Sequence, residues 1–275
     1  MGLRIQTNMA SLSAQKVLGK QQARAEHASQ ALASGSRIVK AGDDAAGLAI
    51  SENIRGQVRG MQMARTNSFN AVSAIQVSEG GLNEVSNILI RLRELGIQAA
   101  SDNIGEKERG FLNIEAKNMI EEADRISKTT VFGDKKLLDG SGGKQTFQVG
   151  AFAGEENTIS YDLSTDASAD ALGISGGSIE SKGDARSLLS IVDKAMDKVG
   201  AMRANFGAIQ NRLESTTTNL DTQIENLSAA RSRLSDADVA HESSELASAS
   251  VLQNAAISVL AQANQFPGMA LKLIG

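Results

Sequence analysis

The chain has 275 residues with no Cys, no Trp, one Pro, one Tyr, 3% aromatic residues and a formal net charge of −4. Without Cys there is no disulfide framework, thiolate metal site or Cys nucleophile, and His27 and His241, its two imidazoles, leave little for a His-based metal site or a Ser-His-Asp triad. The acidic balance offers no general basic field for nucleic acid, and an interior of Leu, Ile, Val, Ala and Met with a single Pro predicts closely apposed, uninterrupted helices.

Residues 3–33 scatter Leu3, Ile5, Met9 and Leu12 among many Ser and Gln, and residues 1–40 hold Arg4, Lys16, Lys20, Arg24, Arg37 and Lys40 against Glu26 alone. The first twenty residues show no long apolar run and no small-residue cleavage site, so no general secretory signal is expected. Asp43-Asp44 form a carboxylate pair within Ala41-Gly-Asp-Asp-Ala-Ala-Gly47; the reading adopted is acidic residues opening a helix, where the macrodipole favours them. Beyond it Ile54, Val58, Met61, Val72, Ile75 and Leu82 keep a three–four spacing. Val85, Leu89 and Leu92 continue it after a one-step shift at Gly80-Gly81, where a bend or a close backbone approach is expected. A third helix is expected from about Glu106 to Thr129, with Leu112, Ala116, Ile120 and Ala123 on its apolar face.

Between Val131 and Asp184 the period changes. Thr146-Phe-Gln-Val149 and Thr158-Ile-Ser-Tyr-Asp-Leu163 alternate around a Gly- and Asn-containing break at Ala153–Asn157, which predicts a β-hairpin near 144–163. An isolated hairpin is marginal, so this one should lie on helices. From Val192 the positions Ala195, Val199, Met202, Phe206, Ile209, Leu213, Thr216, Leu220, Gln223, Leu227, Ala230 and Leu234 follow, with Thr216 and Gln223 alone breaking the apolar rule. That is roughly six heptads, enough for a left-handed coiled coil against the earlier helix.

Residues 245–273 resemble the N-terminal zone in their many Ser, Gln and Asn and their Ala-rich apolar face, on which Leu252, Val259, Phe266, Leu271 and Leu273 stand out, with Ile274 next in the chain. Gln253, Asn254, Gln262, Asn264, Gln265 and Pro267 argue against a membrane span. Both end zones are too thin to anchor a helix alone in water, so they need each other or other chains. His241-Glu242-Ser-Ser-Glu245 lacks the second His of a zinc motif, no phosphate loop or nucleophile elbow occurs, and Met61, Met63, Met119, Met196 and Met202 read as core filler. No catalytic, cofactor or metal site is expected.

The runs Ala31-Leu-Ala-Ser-Gly-Ser-Arg-Ile38 and Ala41-Gly-Asp-Asp-Ala-Ala-Gly-Leu-Ala-Ile50, with Ile5-Gln-Thr-Asn8, Ser11-Leu-Ser13, Arg91-Leu-Arg-Glu-Leu-Gly-Ile-Gln98 and Gln262-Ala-Asn-Gln265, resemble bacterial flagellins over residues 1–139 and 186–275. The resemblance implies a mainly α fold: a long antiparallel coiled-coil helical rod with a small β-hairpin. It divides the chain into 1–44 and 236–275, the two parts of an inner filament-core domain, and 45–235, the rod domain. The large variable outer domains of many flagellins are missing. The implied function is a structural subunit, not an enzyme, that self-assembles into the helical flagellar filament for swimming, exported unfolded through the flagellar channel to the cell exterior. Inner assembly contacts would come from Leu3, Ile5, Met9, Leu12, Leu252, Val259, Phe266, Leu271, Leu273 and Ile274.

The same resemblance implies partners: an export chaperone, a filament cap and hook-junction proteins. Arg91, Leu95 and Gln98, with Glu122 on the facing helix, match the flagellin patch read by Toll-like receptor 5. Ile90 stands where Gln is common and Met119 where a basic residue is common, which weakens that recognition, and subunit packing is the plainer role for exposed Arg on a helix. A hook–filament junction protein would share the end signatures. An exported membrane-active helical translocator is the other rival, and it would need an apolar hairpin of about twenty residues per span that the sequence lacks.

Overall fold

The computed structural model describes residues 7–163 and 165–274, with the side chains of Phe266, Pro267 and residues 269–274 outside the description. Its elements are α1 (Met9–Ser34), α2 (Ala45–Ala99), α3 (Glu106–Thr129), β1 (Val131–Phe132), β2 (Lys135–Lys136), β3 (Lys144–Gln148), β4 (Thr158–Asp162), α4 (Ala169–Leu172), α5 (Lys182–Ser235) and α6 (Val239–Ile274). The mainly helical fold with long packed helices and a small antiparallel hairpin is the one the sequence leads to. Two compact units divide it: Met1–Gly56 with Asn226–Gly275, and Gln57–Glu225.

In the unit Gln57–Glu225 the seams of α2 and α5 run antiparallel, as the cross-links Arg65–Asp221 and Arg93–Asp193 show, each at 2.9 Å. Ile75, Leu82, Val85, Leu89, Leu92, Val192, Val199, Phe206 and Leu213 are at most 1% exposed and form one core with the inner faces of α3 and the hairpin. Burial on this scale, at about 1.5–3 kcal/mol per large apolar side chain, is what carries the unit. The third helix occupies the span expected of it, with Ala116, Ile120 and Ala123 buried.

Two expectations about register are corrected. There is no shift at Gly80-Gly81: α2 passes through unbroken, and its seam runs Met61, Ala64, Ser68, Ala71, Ile75, Ser78, Leu82, Val85, Leu89, Leu92. Small residues hold the seam positions where a search for large apolar side chains finds nothing. The two serines bond back to their own helix, Ser68 Oγ to the Ala64 carbonyl at 3.0 Å and Ser78 Oγ to Ala74 at 2.9 Å. Gly81 marks a close approach instead, since a Cβ there would lie 2.7 Å from Leu138 Cδ1 and 2.8 Å from Thr130 Oγ1. On α5, Gln223 is exposed and Ile224 turns inward. With Thr217, whose hydroxyl donates to the Leu213 carbonyl at 2.9 Å, the three–four rule survives one residue further along.

β3 and β4 pair antiparallel from Lys144↔Asp162 to Gln148↔Thr158, and Ile159, Tyr161 and Leu163 enter the helical core. Tyr161 stacks on Phe147 with centroids 5.5 Å apart; burial pushes its phenol pKa up to about 12. A second strand pair, β1 with β2, was not expected. It turns at Gly133-Asp134, with Gly133 at φ 61, a two-residue hairpin signal hidden in very short strands.

The other unit is the antiparallel pair α1–α6. Asn8 caps α1, its Oδ1 accepting from Ser11 N at 3.1 Å, while its Nδ2 donates to the Ala263 carbonyl at 2.7 Å. At the opposite end Arg37 N donates to the Ser235 carbonyl at 2.8 Å and Ala237 N to the Gly35 carbonyl at 3.0 Å. By length and composition the stretch Val239–Gln265 is apolar enough to cross a membrane, with a hydropathy of 1.2. Its side-chain amides and its packing on α1 fit a water-exposed helix awaiting protein neighbours better.

Candidate assembly surface

The α1–α6 pair is packed inside out. Its seam is made of Ser11, Ala14, Gln21, Ala28 and Ala31 from α1 and Glu242, Ala249, Ala256 and Ala263 from α6. The larger apolar side chains point away from it. Met9 is 64% exposed, Leu12 61%, Val251 68% and Val259 54%, with Val17, Leu252 and Ile257 close behind. An Ala seam buries little area, so most of the hydrophobic free energy these helices can gain is still unrealised. Four of the expected assembly residues, Met9, Leu12, Leu252 and Val259, lie on this outward surface. Leu3 and Ile5 fall outside the described residues. Phe266, Leu271, Leu273 and Ile274 lie on the α6 backbone, with their side chains outside the description.

The segment joining α1 to α2 is fixed by polar contacts. Asp44 Oδ1 accepts from Gly47 N at 2.8 Å, opening α2 as expected. Asp43 does something else: its Oδ2 accepts from Lys40 N at 2.8 Å and Val39 N at 3.0 Å and lies 3.2 Å from His27 Nε2. The Lys40 amide first, then the His27 and Val39 contacts, hold that carboxyl below its ordinary range. Reading both aspartates as helix-opening is therefore corrected for Asp43, which closes a loop onto α1. Ser36 Oγ bonds the Ser235 carbonyl at 2.9 Å and Arg37 Nη2 the Leu234 carbonyl at 2.9 Å, a clasp with no marker in sequence beyond the Ser-Gly-Ser turn. Asp238 Oδ1 accepts from Ala240 N and His241 N at the start of α6, so His241-Glu242 belongs to a helix start. Among the described residues no three His, Asp or Glu gather as a metal site would require.

The patch on the other unit is brought together only in part. Arg91 and Gln98 are exposed on α2. Arg91 bonds Glu115 through Nη2 at 2.6 Å and Glu94 through Nη1 at 3.0 Å, and these carboxylates raise its guanidinium pKa. Leu95 is 0% exposed and belongs to the core. Glu122 is engaged along its own helix by Arg125, at 2.6 and 2.7 Å, and its carboxyl pKa is lowered by that partner.

Two family models match the chain, the bacterial flagellin N-terminal helical region over residues 5–142 and the bacterial flagellin C-terminal helical region over 189–274. A flagellin of Halalkalibacterium halodurans is 41% identical over 271 residues, covering 98% of this chain and 99% of its own. A flagellin of Bacillus subtilis is 39% identical over 306 residues, covering 99% of this chain and 100% of its own. Among solved structures, the Bacillus cereus flagellin superposes with a TM-score of 0.50 at 25% identity, over 60% of this chain and 94% of that one. A Vibrio parahaemolyticus chain described as a flagellar hook-associated protein reaches a TM-score of 0.59 at 14% identity, over 70% and 100%, a likeness of fold alone. This chain belongs to the bacterial flagellin family.

Proposed function

We propose that this chain is the structural subunit of a bacterial flagellar filament, with residues 1–44 and 236–275 forming the inner core in which copies meet. The observation that carries the reading is the inside-out α1–α6 pair, an Ala seam within and Met9, Leu12, Val251, Leu252 and Val259 exposed without. A surface of that kind is completed by further copies, and heterologous contacts repeated without closure yield a filament. The site of action is the extracellular filament. A Cys-free chain suits export as an unfolded thread, since no disulfide has to form or break. An export chaperone, the filament cap and hook-junction proteins are the proposed further partners.

Arg91 and Gln98 are proposed to serve contacts between copies. The finer reading, recognition by Toll-like receptor 5, is tested by receptor-reporter cells given wild type and Arg91→Ala. A hook–filament junction role is not favoured, because full-length relatives at 39–41% identity are flagellins. Electron microscopy after adding filament seeds tests the main reading. Long filaments are expected; a short, self-limited zone on the seeds would favour the junction reading.

A further inference from the structure

An apolar hollow opens in the unit Gln57–Glu225, between α2 and the two strand pairs. It has a volume of about 320 Å³ and is walled by Phe132, Phe147, Tyr161 and Leu163, with the exposed Asn70 and Lys135 at its edge. Tyr161 is 3% exposed, and its hydroxyl makes no hydrogen bond to a described residue. That hydroxyl is not sealed, because Gln21 Oε1 alone among the described side chains is both sealed and unpaired. A buried phenol usually has a partner. Apolar walls with a free polar group among them are the make-up of a binding site not yet filled.

The same unit carries a matching knob. Phe111 is 73% exposed, the most exposed large apolar side chain among the described residues, and Ile114 one turn along α3 is 59% exposed. Neither belongs to the core of the unit. Glu108, one turn before Phe111, is exposed and has no ion pair among the described residues. Lys135 at the edge of the hollow has only the Gln145 side-chain amide as a partner.

A chain cannot fill its own hollow. Arg91 of α2 meets Glu115 of α3, and Arg109 donates to the Ala99 carbonyl, which puts Phe111 level with about residue 95 of α2. The hollow lies at Asn70 and Ala74, roughly 23 residues of helix away, about 35 Å at the helical rise. A knob and a hollow that far apart on one chain make a heterologous contact, which passes from copy to copy without closing.

We infer that Phe111 of one copy enters the hollow beside Tyr161 of a neighbouring copy, with Glu108 set against Lys135 at its edge. The inference rests on the filament reading above. The entering ring meets the stacked Phe147–Tyr161 pair, where aromatic contact adds to burial. The hollow is roomy enough to keep water at the hydroxyl beside the ring.

The single Tyr and the lack of Trp make tyrosine emission a direct report on the hollow. Phe111→Ala is compared with wild type in the full chain. Three quantities are read: the critical concentration for elongating wild-type seeds, the emission before and after elongation, and the thermal transition. The expected critical concentration is about 10- to 100-fold higher, as for one large apolar side chain left in water. The emission change of wild type should be absent and the thermal transition unmoved. Lys135→Glu should raise the critical concentration less, and adding Glu108→Lys to the same chain should restore it. The two positions are too far apart within one chain to meet, so contact between copies alone can restore it.

An unchanged critical concentration in Phe111→Ala overturns the inference. So does a raised one that keeps the wild-type emission change, which would place Phe111 in another contact. A lowered thermal transition overturns it as well, because Phe111 would then serve its own unit. Wild-type emission that does not change on elongation, or a double variant no better than Lys135→Glu, has the same force. Wild type that fails to elongate seeds at all counts against the filament reading itself and takes this inference with it.

Discussion

The two units bury opposite kinds of side chain along the same kind of seam. In Gln57–Glu225 the seam is Ile75, Leu82, Leu89, Leu92, Phe206 and Leu213, each 0% exposed. In the α1–α6 pair it is mostly alanine, with Ser11, Gln21 and Glu242 buried beside it, and the large apolar groups face out. One helical pattern thus supports two outcomes. A seam filled with large side chains supplies the free energy of a unit that stands alone; a seam filled with small ones brings the backbones close and leaves the rest of the driving force for intermolecular contact. The difference separates a folded body from an assembly element within one chain.

The largest effect should come from removing part of the second kind of seam. Deleting Gln262–Gly275 should abolish seed elongation while the thermal transition of Gln57–Glu225 stays where it is in wild type. A truncated chain that polymerises normally would dissolve the contrast. Next, Phe206→Ala should destabilise the larger unit by about 3–5 kcal/mol and Leu213→Ala by about 2–5 kcal/mol, read from denaturant midpoints. If neither moves the midpoint, that seam is not a core.

Filling the other seam should weaken the α1–α6 pair and leave the larger unit untouched. Ala256→Leu overpacks backbones already in contact and should cost about 1–3 kcal/mol, seen as weakened assembly with the main transition unmoved. The pH prediction is smaller per unit. Tyr161 has its pKa raised to about 12 from 10.0, so its stabilising contribution is fully present below pH 10. It is lost as pH rises from about 10 to 12, at roughly 1.4 kcal/mol per pH unit. Tyr161→Phe should remove that part of the alkaline slope; a wild-type slope in the Phe variant would contradict the burial of the phenol. The smallest effect is expected at Arg91. Its contacts with Glu94 and Glu115 are exposed, so Arg91→Ala should leave the melting temperature unchanged while weakening contacts between copies.

Much of this was legible because helical seams advertise themselves. The third helix and the hairpin near 144–163 follow directly from period 3.6 and period 2, and the long second-half helix from its heptads. What escaped did so where small or polar residues hold inner positions. Ala64, Ser68, Ala71 and Ser78 carry the α2 seam without a large side chain, which created a false shift at Gly80-Gly81. Leu95 stands beside Arg91 in the patch through the family resemblance, which says nothing of its depth, and its side chain lies in the core. Asp43 could not be told from Asp44, since their roles depend on which amides the chain turns toward them. In sequence Gln21 is one polar residue among many; its depth in the α1–α6 seam is visible only in the structure.

The central claim is that the α1–α6 pair is an incomplete structure that neighbouring copies finish. Hydrogen exchange, read residue by residue on the unassembled chain and on filaments, tests it most directly. The account predicts fast exchange for α1 and α6 in the unassembled chain beside slow exchange in α2 and α5 between Gln57 and Glu225. In the filament the protection of α1 and α6 should rise to match. Equal, strong protection of both units before assembly would contradict it.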